Sequence, residues 1–198
     1  MAVNSNKNSD LRIQKTYILL SQTLLELLKE KSFIEIRVSD ICSKAMINRS
    51  TFYNHFEDKY DFLEYFLKDL MNKFEIEAMK IPSSNESLKS HYTNLYRIIL
   101  KHLEENKNLY FVGFDHHNND TALNIFQKIL TELIQADFEK HIKAGMKFSV
   151  PSKIMAILFS SSMISIGSWW LENNTPIPVD ELVSYLDKII SKLTLYES

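Results

Sequence analysis

The chain has 198 residues, a hydrophobic fraction of 45% and a formal net charge of −2 at pH 7. That hydrophobic fraction is sufficient for a packed core and excludes wholesale disorder. With only 3 glycines and 4 prolines, the chain lacks the turn residues that a sheet-rich fold needs, so the composition predicts an all-α protein.

In the first half of the chain, the sequence pattern predicts an N-terminal arm followed by four helices. Residues 1–9 are polar and aperiodic, which indicates a mobile arm without a signal sequence. Asp10 is a suitable N-cap for the helix that follows, because its side chain can accept from free backbone N–H groups. Apolar residues at helical spacing predict helices at 11–31, about 39–45, about 49–55 and 59–80.

In the second half of the chain, the sequence pattern predicts further helices after a break in the helical spacing. Residues 81–85 include Pro82 in a polar cluster, which ends the preceding helix. Helical spacing then predicts helices at 86–105, 108–114, 121–144, 151–172 and 179–195. The total is about nine helices, with no convincing strand or internal repeat.

The segment 154–171 is an uncharged run of 18 residues, the lower limit for a helix that spans a membrane. Five serines and one glycine dilute the run, so we expect a buried or intersubunit helix and no membrane association. The single cysteine, Cys42, excludes an internal disulfide and fits a reducing compartment. These features predict a cytoplasmic protein.

The most informative segment is 37–56, in which a three-residue turn at 46–48 joins two short helices. Six apolar residues are spaced to face one small core, namely Val38, Ile41, Ala45, Ile47, Phe52 and Phe56. Ala45 suits the close approach of two steeply crossing helices. The other side of the second helix shows Arg49, Ser50, Thr51, Tyr53, Asn54 and His55. These side chains suit phosphate oxygens and base edges.

The charge distribution agrees with an N-terminal part that meets nucleic acid. Residues 1–60 carry nine Lys or Arg against seven Asp or Glu, whereas the remainder carries a net charge of −4. A weakly basic head on an acidic body is typical of a protein whose head contacts phosphate.

The segment resembles the DNA-binding signature of the TetR family of transcription regulators, and the resemblance extends over about residues 11–63. The family pattern T-V-x-D-I-A-x-x-A-G-V-S-x-x-T-x-Y-x-H-F-x-x-K is matched at Val38, Asp40, Ile41, Ala45, Thr51, Tyr53, His55, Phe56 and Lys59. Met46 stands where the family usually has the turn glycine. A non-glycine residue there costs roughly 1–2 kcal/mol if the backbone is left-handed.

The resemblance implies a role for each matching position. Arg49, Ser50 and Asn54 would read bases, with Arg49 best placed for a guanine. Phosphate contacts would come from Thr51, Tyr53, His55 and Lys59, with further contacts at the groove edge from Arg37 and Ser39. Without the resemblance, an ordinary solvated helix face is the favoured interpretation of Tyr53 and His55, because exposed polar residues are the norm.

The resemblance also implies the overall organisation. It predicts a helix-turn-helix DNA-binding domain at 1–58 and a helical effector-binding and dimerisation domain at 59–198. The expected function is a homodimeric regulator of double-stranded DNA, most often a repressor, that responds to a small-molecule effector. The C-terminal half, with the sequence WWLENN at 169–174, resembles the subgroup that includes the activator of dihydroxyacetone-kinase operons. That subgroup offers the alternative of control by a protein partner.

The last two helices carry the pattern of an interface. Leucine and isoleucine repeat at Leu182, Leu186, Ile189 and Leu193, and small residues form a row at Ser161, Ser165 and Ser168. Two such helices per subunit can pair as a four-helix bundle. The alternative is an ordinary core within one chain.

An effector pocket is expected among the helices of residues 86–170. The candidate lining residues are Tyr96, Phe111, Phe114, Phe126, Phe138, Met155, Phe159 and Met163. The alternative is that these side chains form plain core, because aromatic residues and methionines at helical spacing usually do.

Metal binding and catalysis are not supported by the sequence. Residues 115–120 contain adjacent histidines, but neither they nor His91 and His102 show the spacing of metal ligands. No nucleophile elbow, phosphate-binding loop or catalytic carboxylate pair is present. We therefore expect no metal, no cofactor and no enzymatic activity.

Overall fold

A computed structural model of the chain describes residues 3–81, 88–107, 110, 120–148 and 150–194. Within these residues the chain forms eight helices and no strand. They are α1 (Val3–Leu28), α2 (Val38–Lys44), α3 (Arg49–Tyr53), α4 (Lys59–Met79), α5 (Leu88–Glu105), α6 (Asp120–Lys143), α7 (Ser152–Glu172) and α8 (Val179–Thr194). The all-α prediction is confirmed. The helix predicted at 108–114 lies almost entirely outside the described residues.

The predicted helix limits agree with the structure to within two or three residues, except at the start of α1. This helix begins at Val3, so residues 3–9 are helical and the predicted mobile arm is wrong. Asp10 lies inside α1 and cannot be its N-cap.

The described residues divide into two compact units. The first unit contains α1, α2, α3, α4 as far as Phe66, and the first four residues of α6. Its fully buried side chains include Leu20, Leu24, Leu28, Phe33, Ile36, Ile41, Phe52, Phe62 and Leu63. Most of these residues lie on the apolar sides of the helices, whereas Phe33 and Ile36 anchor the segment between α1 and α2.

The second unit contains the rest of α4, together with α5, α7, α8 and most of α6. Within it α5 packs against both α7 and α8. Gly167 permits the close approach of α5, because a Cβ atom at this position would lie 3.2 Å from Leu103 Cδ1. Trp170 is fully buried, and its Nε1 donates to the carbonyl oxygen of Ile177 at 2.7 Å. This bond fixes the loop between α7 and α8.

A cluster of polar side chains lies between α6 and α7. Gln127 Nε2 donates to both Ser160 Oγ and Ser161 Oγ at 3.0 Å, and the Thr131 and Ser160 hydroxyls are 2.7 Å apart. Thr131 and Ser160 are buried. Because each group has a partner, the cluster avoids the cost of burying unpaired polar atoms.

Helix α7 is the one helix among the described residues that is long and apolar enough to cross a membrane, and 44% of its most apolar window is buried inside the protein. The core helix of a globular protein meets the same criteria, so one such helix is weak support for a membrane span.

Candidate nucleic-acid interface

The start of α2 is tied to the segment that follows α1. Asp40 Oδ2 accepts from the Arg37 backbone N–H at 3.1 Å and lies 2.6 Å from Lys31 Nζ. The hydrogen bond from Lys31 and the bond from the Arg37 backbone hold the pKa of Asp40 below its usual value. An ionised Asp40 therefore fixes α2 at the position where the helix-turn-helix begins.

The small core predicted between α2 and α3 is present. Ile41, Ala45, Phe52 and Phe56 are buried, whereas Val38 and Ile47 are half-buried. The ring of Phe56 lies 5.5 Å from Phe52 and 4.9 Å from Phe62 of α4. With one side of α3 packed in this way, its other side must face outward.

The outward side of α3 carries the polar residues that the sequence singles out. Arg49, Ser50 and Asn54 are exposed, and Tyr53 exposes 55% of its surface. Thr51 is half-buried. Asn48 occupies the N-cap position without a capping bond from its side chain, so α3 begins on backbone contacts alone.

Three other predicted contact residues surround α3 in different settings. Arg37 is exposed and Ser39 is half-buried, with its hydroxyl 3.5 Å from Asp40 Oδ1. His55 is half-buried, and its ring packs edge-on against Tyr17 of α1 at 5.3 Å. The sequence pattern does not reveal this contact with α1.

Lys59, the first residue of α4, has a role different from the predicted phosphate contact. Its Nζ donates to the carbonyl oxygens of Phe33, Ile34 and Ile36 at 3.0, 2.8 and 2.9 Å. Burial lowers the pKa of Lys59. An ammonium group has three N–H donors, and these carbonyls use all of them, so we reassign Lys59 from phosphate binding to support of the segment between α1 and α2.

The turn between α2 and α3 is left-handed at Met46, which has φ of 53° and a side chain that is 91% exposed. The family's glycine would adopt this conformation without strain. Methionine keeps the turn at a steric cost and gains no burial in return.

The predicted dimer surface is only partly exposed. Leu182 and Leu186 are buried within the chain, on the side of α8 that packs on α5, so their assignment to a subunit interface is wrong. Ile189 is exposed, Ser165 is exposed, and Ser161 and Ser168 are half-buried; the Leu193 side chain lies outside the described residues. The exposed apolar residues on α7 and α8 are Ile154, Ile157, Leu158, Trp169, Tyr185 and Ile189.

Five of the eight residues predicted to line an effector pocket are buried in the second unit. Tyr96, Phe138, Met155, Phe159 and Met163 are buried, Phe126 is half-buried, and Phe111 and Phe114 lie outside the described residues. A groove of about 200 Å³ does exist in the second unit, and none of these eight residues lines it.

The groove lies among α4, α5 and α6 and combines apolar with charged side chains. It is lined by Lys68, Met71, Asn72, Glu75, His91, Tyr92, Leu95, Leu130, Leu133, Ile134, Asp137 and Lys140. The sequence shows how these residues are spaced along each helix. It does not show that the three helices pack together and form a groove.

The described residues contain no group of three or more His, Cys, Asp or Glu side chains that could hold a metal ion. His91 pairs with Glu75, and the His102 ring packs on Phe74 at 4.9 Å. Residues 115–119 lie outside the described part of the chain.

Comparison with known proteins gives matches over most of the chain. Residues 22–66 match the family described as bacterial regulatory proteins, tetR family, and residues 90–192 match the transcriptional regulator C-terminal region. No curated protein matches the chain by sequence.

Several solved structures share the fold. A TetR transcriptional regulator from Streptococcus agalactiae is 24% identical, with a TM-score of 0.62 and coverage of 93% of this chain and 98% of that one. The regulator FadR from Bacillus subtilis, solved with stearoyl-CoA, is 17% identical, with a TM-score of 0.62 and coverage of 90% and 98%. The dihydroxyacetone kinase operon activator DhaS is 17% identical, with a TM-score of 0.59 and coverage of 92% and 98%.

Proposed function

Because the chain belongs to the TetR family of bacterial regulatory proteins, we propose that it binds a palindromic DNA operator as a homodimer and represses transcription. Members of this family are transcription regulators, so the chain is a regulator and not an enzyme. The observation that carries the proposal is the outward polar side of α3, which exposes Arg49, Tyr53 and Asn54 above a closed apolar core.

The side chains of α3 divide by chemistry into two kinds of DNA contact. Arg49, Ser50 and Asn54 read base edges, because guanidinium and amide groups form paired hydrogen bonds in the major groove. Tyr53 and Thr51 bind phosphates, which fixes the position of the helix but carries no sequence information. Arg37, Ser39 and His55 add contacts at the groove edge. This assignment leaves Lys59 out.

Two copies of α3 are needed for specific recognition, because one short helix reads few bases. The exposed apolar side chains of α7 and α8 supply the surface on which a second copy of the chain packs. In such a dimer the two α3 helices would enter successive major-groove turns, about 34–36 Å apart. The same packing covers the apolar face of α7 with protein, which suits a cytoplasmic dimer.

An effector in the second unit would control DNA binding. FadR from Bacillus subtilis was solved with stearoyl-CoA, which supports a small-molecule effector in this fold. We propose that the effector has different affinities for two conformations of the protein, one that binds the operator and one that does not. Only such a difference couples the effector site to the DNA-binding site.

DNA binding can be tested with purified protein and promoter DNA from its own locus, by nuclease footprinting and by fluorescence anisotropy at several salt concentrations. We expect a protected palindrome and an affinity that falls steeply as salt rises. The double variant Arg49→Ala/Tyr53→Ala should lose specific binding, whereas Lys101→Ala/Lys143→Ala, which removes two exposed cations elsewhere, should retain it. Unchanged binding by the first variant would contradict the proposed interface.

A further inference from the structure

The groove among α4, α5 and α6 has an apolar wall and a defined size. The wall is formed by Met71, Leu95, Leu130, Leu133 and Ile134, and the volume is about 200 Å³. This space is large enough for several water molecules. The groove therefore has room for a short hydrocarbon chain.

Both carboxylates of the groove already have partners. Glu75 Oε1 lies 3.1 Å from His91 Nε2, and Asp137 Oδ2 accepts from the Tyr92 hydroxyl at 3.0 Å. Asp137 Oδ2 also lies 3.7 Å from His141 Nδ1. Because neighbouring side chains hold both carboxylates, neither is available as the main partner of a ligand cation.

Two lysines bring positive charge to the groove. Lys68 of α4 and Lys140 of α6 both line it. The Lys140 ammonium group forms no ion pair with another side chain in the described part of the chain, and residue 140 is exposed. The hydrogen bond to Glu75 raises the pKa of His91, which favours the positively charged form of this imidazole. The groove therefore offers an unpaired cation beside an apolar wall.

We propose that the groove binds a small amphipathic organic anion, such as a medium-chain carboxylate, with its hydrocarbon part on the apolar wall and its anionic group at Lys140. This inference rests on the proposed function, because it names the chemical class of the effector. Charge-assisted hydrogen bonds are roughly twice as strong as neutral ones, so an alcohol of equal length binds more weakly. An amine of equal length meets Lys68 and Lys140 as like charges and binds least.

The groove also contains a link between α4 and α5 that such an anion weakens. The Glu75–His91 pair joins the two helices across the groove. A ligand carboxylate competes with Glu75 for the imidazolium of His91. Since α4 continues without interruption from Lys59 to Met79, release of Glu75 changes the restraint on a helix that begins in the DNA-binding unit.

The test uses the full-length protein and calorimetric titration with octanoate, 1-octanol and octylamine. Each compound is kept below its solubility limit, and the two ionic compounds are also kept below their critical micelle concentrations. We expect octanoate to bind about tenfold or more tightly than 1-octanol, and octylamine not to bind. Lys140→Gln should weaken octanoate binding by about tenfold and leave 1-octanol binding unchanged. Lys143→Gln, an exposed position on the same helix that does not line the groove, is the matched control and should bind octanoate normally.

The proposal is overturned if octanoate does not bind, if octanoate and 1-octanol bind equally, or if Lys140→Gln and Lys143→Gln behave alike. Operator binding measured on the same preparations separates this proposal from the regulator function. Normal operator binding without octanoate binding overturns the groove alone, and octanoate binding without operator binding overturns the DNA-binding function alone. Octanoate binding that leaves operator affinity unchanged overturns the effector role.

Discussion

The ammonium nitrogen of Lys59 lies 2.9 Å from the carbonyl oxygen of Ile36, which immediately precedes the first residue of the helix-turn-helix segment. The same nitrogen also holds the carbonyls of Phe33 and Ile34 and lies 4.9 Å from the centre of the Phe33 ring. A side chain at the start of α4 thus closes the segment between α1 and α2. This contact gives Lys59 a structural role that the family resemblance alone does not imply.

Lys59→Met should destabilise the protein, because three carbonyls lose a charged donor. Hydrogen bonds to charged groups contribute about 1.5–3 kcal/mol, so a loss of about 2 kcal/mol is expected in urea denaturation. The salt dependence of DNA binding is the decisive measurement. A lost phosphate contact lowers the slope of log Kobs against log salt by about 1, whereas loss of a structural contact leaves it unchanged.

Lys44→Met is the matched control for this experiment. Lys44 pairs with Glu26 and Glu30 at the surface, and exposed pairs of this kind contribute about 1 kcal/mol or less. If log Kobs depends less steeply on log salt for Lys59→Met than for the unmodified protein, Lys59 contacts phosphate and the structural assignment is wrong.

Met46→Gly should stabilise the protein by about 0.5–1 kcal/mol. Removing the left-handed strain gains about 1–2 kcal/mol, and the greater backbone freedom of glycine in the unfolded chain offsets part of this gain. The midpoint of urea unfolding measures the change. Met46→Ala keeps the strain and loses no buried contact, so its midpoint should stay close to that of the unmodified protein. Equal midpoints for the two variants would contradict strain at this turn.

Arg49→Gln should weaken binding to the operator by roughly 5- to 150-fold, which corresponds to the loss of one paired contact to a base. The Arg49 side chain is exposed, so the melting temperature should not change. Anisotropy titrations with operator and unrelated DNA give the measurement, and the loss should be larger for the operator. An equal loss on both DNAs would assign Arg49 to the backbone.

Ile157→Glu should convert the dimer to monomers, because a charge in an apolar interface lacks a partner and its hydration. We expect at least about a hundredfold loss of dimer affinity in sedimentation velocity. Ile76→Glu is the control, since Ile76 on α4 is 47% exposed and Ile157 is 46% exposed. If Ile157→Glu leaves the dimer intact, the subunit interface does not include this part of α7.

His91→Gln should reduce thermal stability more at about pH 5.5 than at about pH 8.5. The Glu75 hydrogen bond raises the pKa of His91 against the opposing effect of burial, with a smaller contribution from the charge of Asp137. The folded state therefore binds the proton more tightly, and the stabilisation is complete below about pH 6 and is lost as the pH rises through the folded-state pKa.

Comparison of His91→Gln with the unmodified protein at each pH cancels the contribution of His102, whose pKa burial lowers. Lys68, Lys140 and Asp137 also line the groove beside this pair, and they are the same in both proteins. A stability difference that grows with pH would contradict the Glu75–His91 pair.

The helices could be predicted from the sequence because apolar residues recur at helical spacing and prolines mark the breaks. The small core of the helix-turn-helix followed from the same spacing, since Ile41, Ala45 and Phe52 can meet only if α2 and α3 cross. Local pattern is sufficient for contacts between elements that are close in the chain.

Contacts between distant elements could not be predicted in this way. An apolar stripe shows that a helix face is buried but does not identify the neighbouring element. The stripe on α8 therefore predicts a subunit interface at Leu182 and Leu186, whereas the structure buries both residues within the chain, where α8 packs on α5. The three carbonyls that bind Lys59 are likewise invisible in the sequence, because backbone groups look alike at every position. The groove depends on how α4, α5 and α6 pack together, which the pattern within each helix does not show.

The hydrogen bonds of Gln127, Thr131 and Ser160 restrict how α6 and α7 can move. Sliding α7 along α6 by one turn, about 5.4 Å, would separate these groups and leave buried polar atoms without partners. These bonds therefore restrain sliding of α7 along α6. A displacement of α6 at Asp137 or Lys140 would then also move α7, which carries Ile157 and Trp169 of the proposed dimer surface.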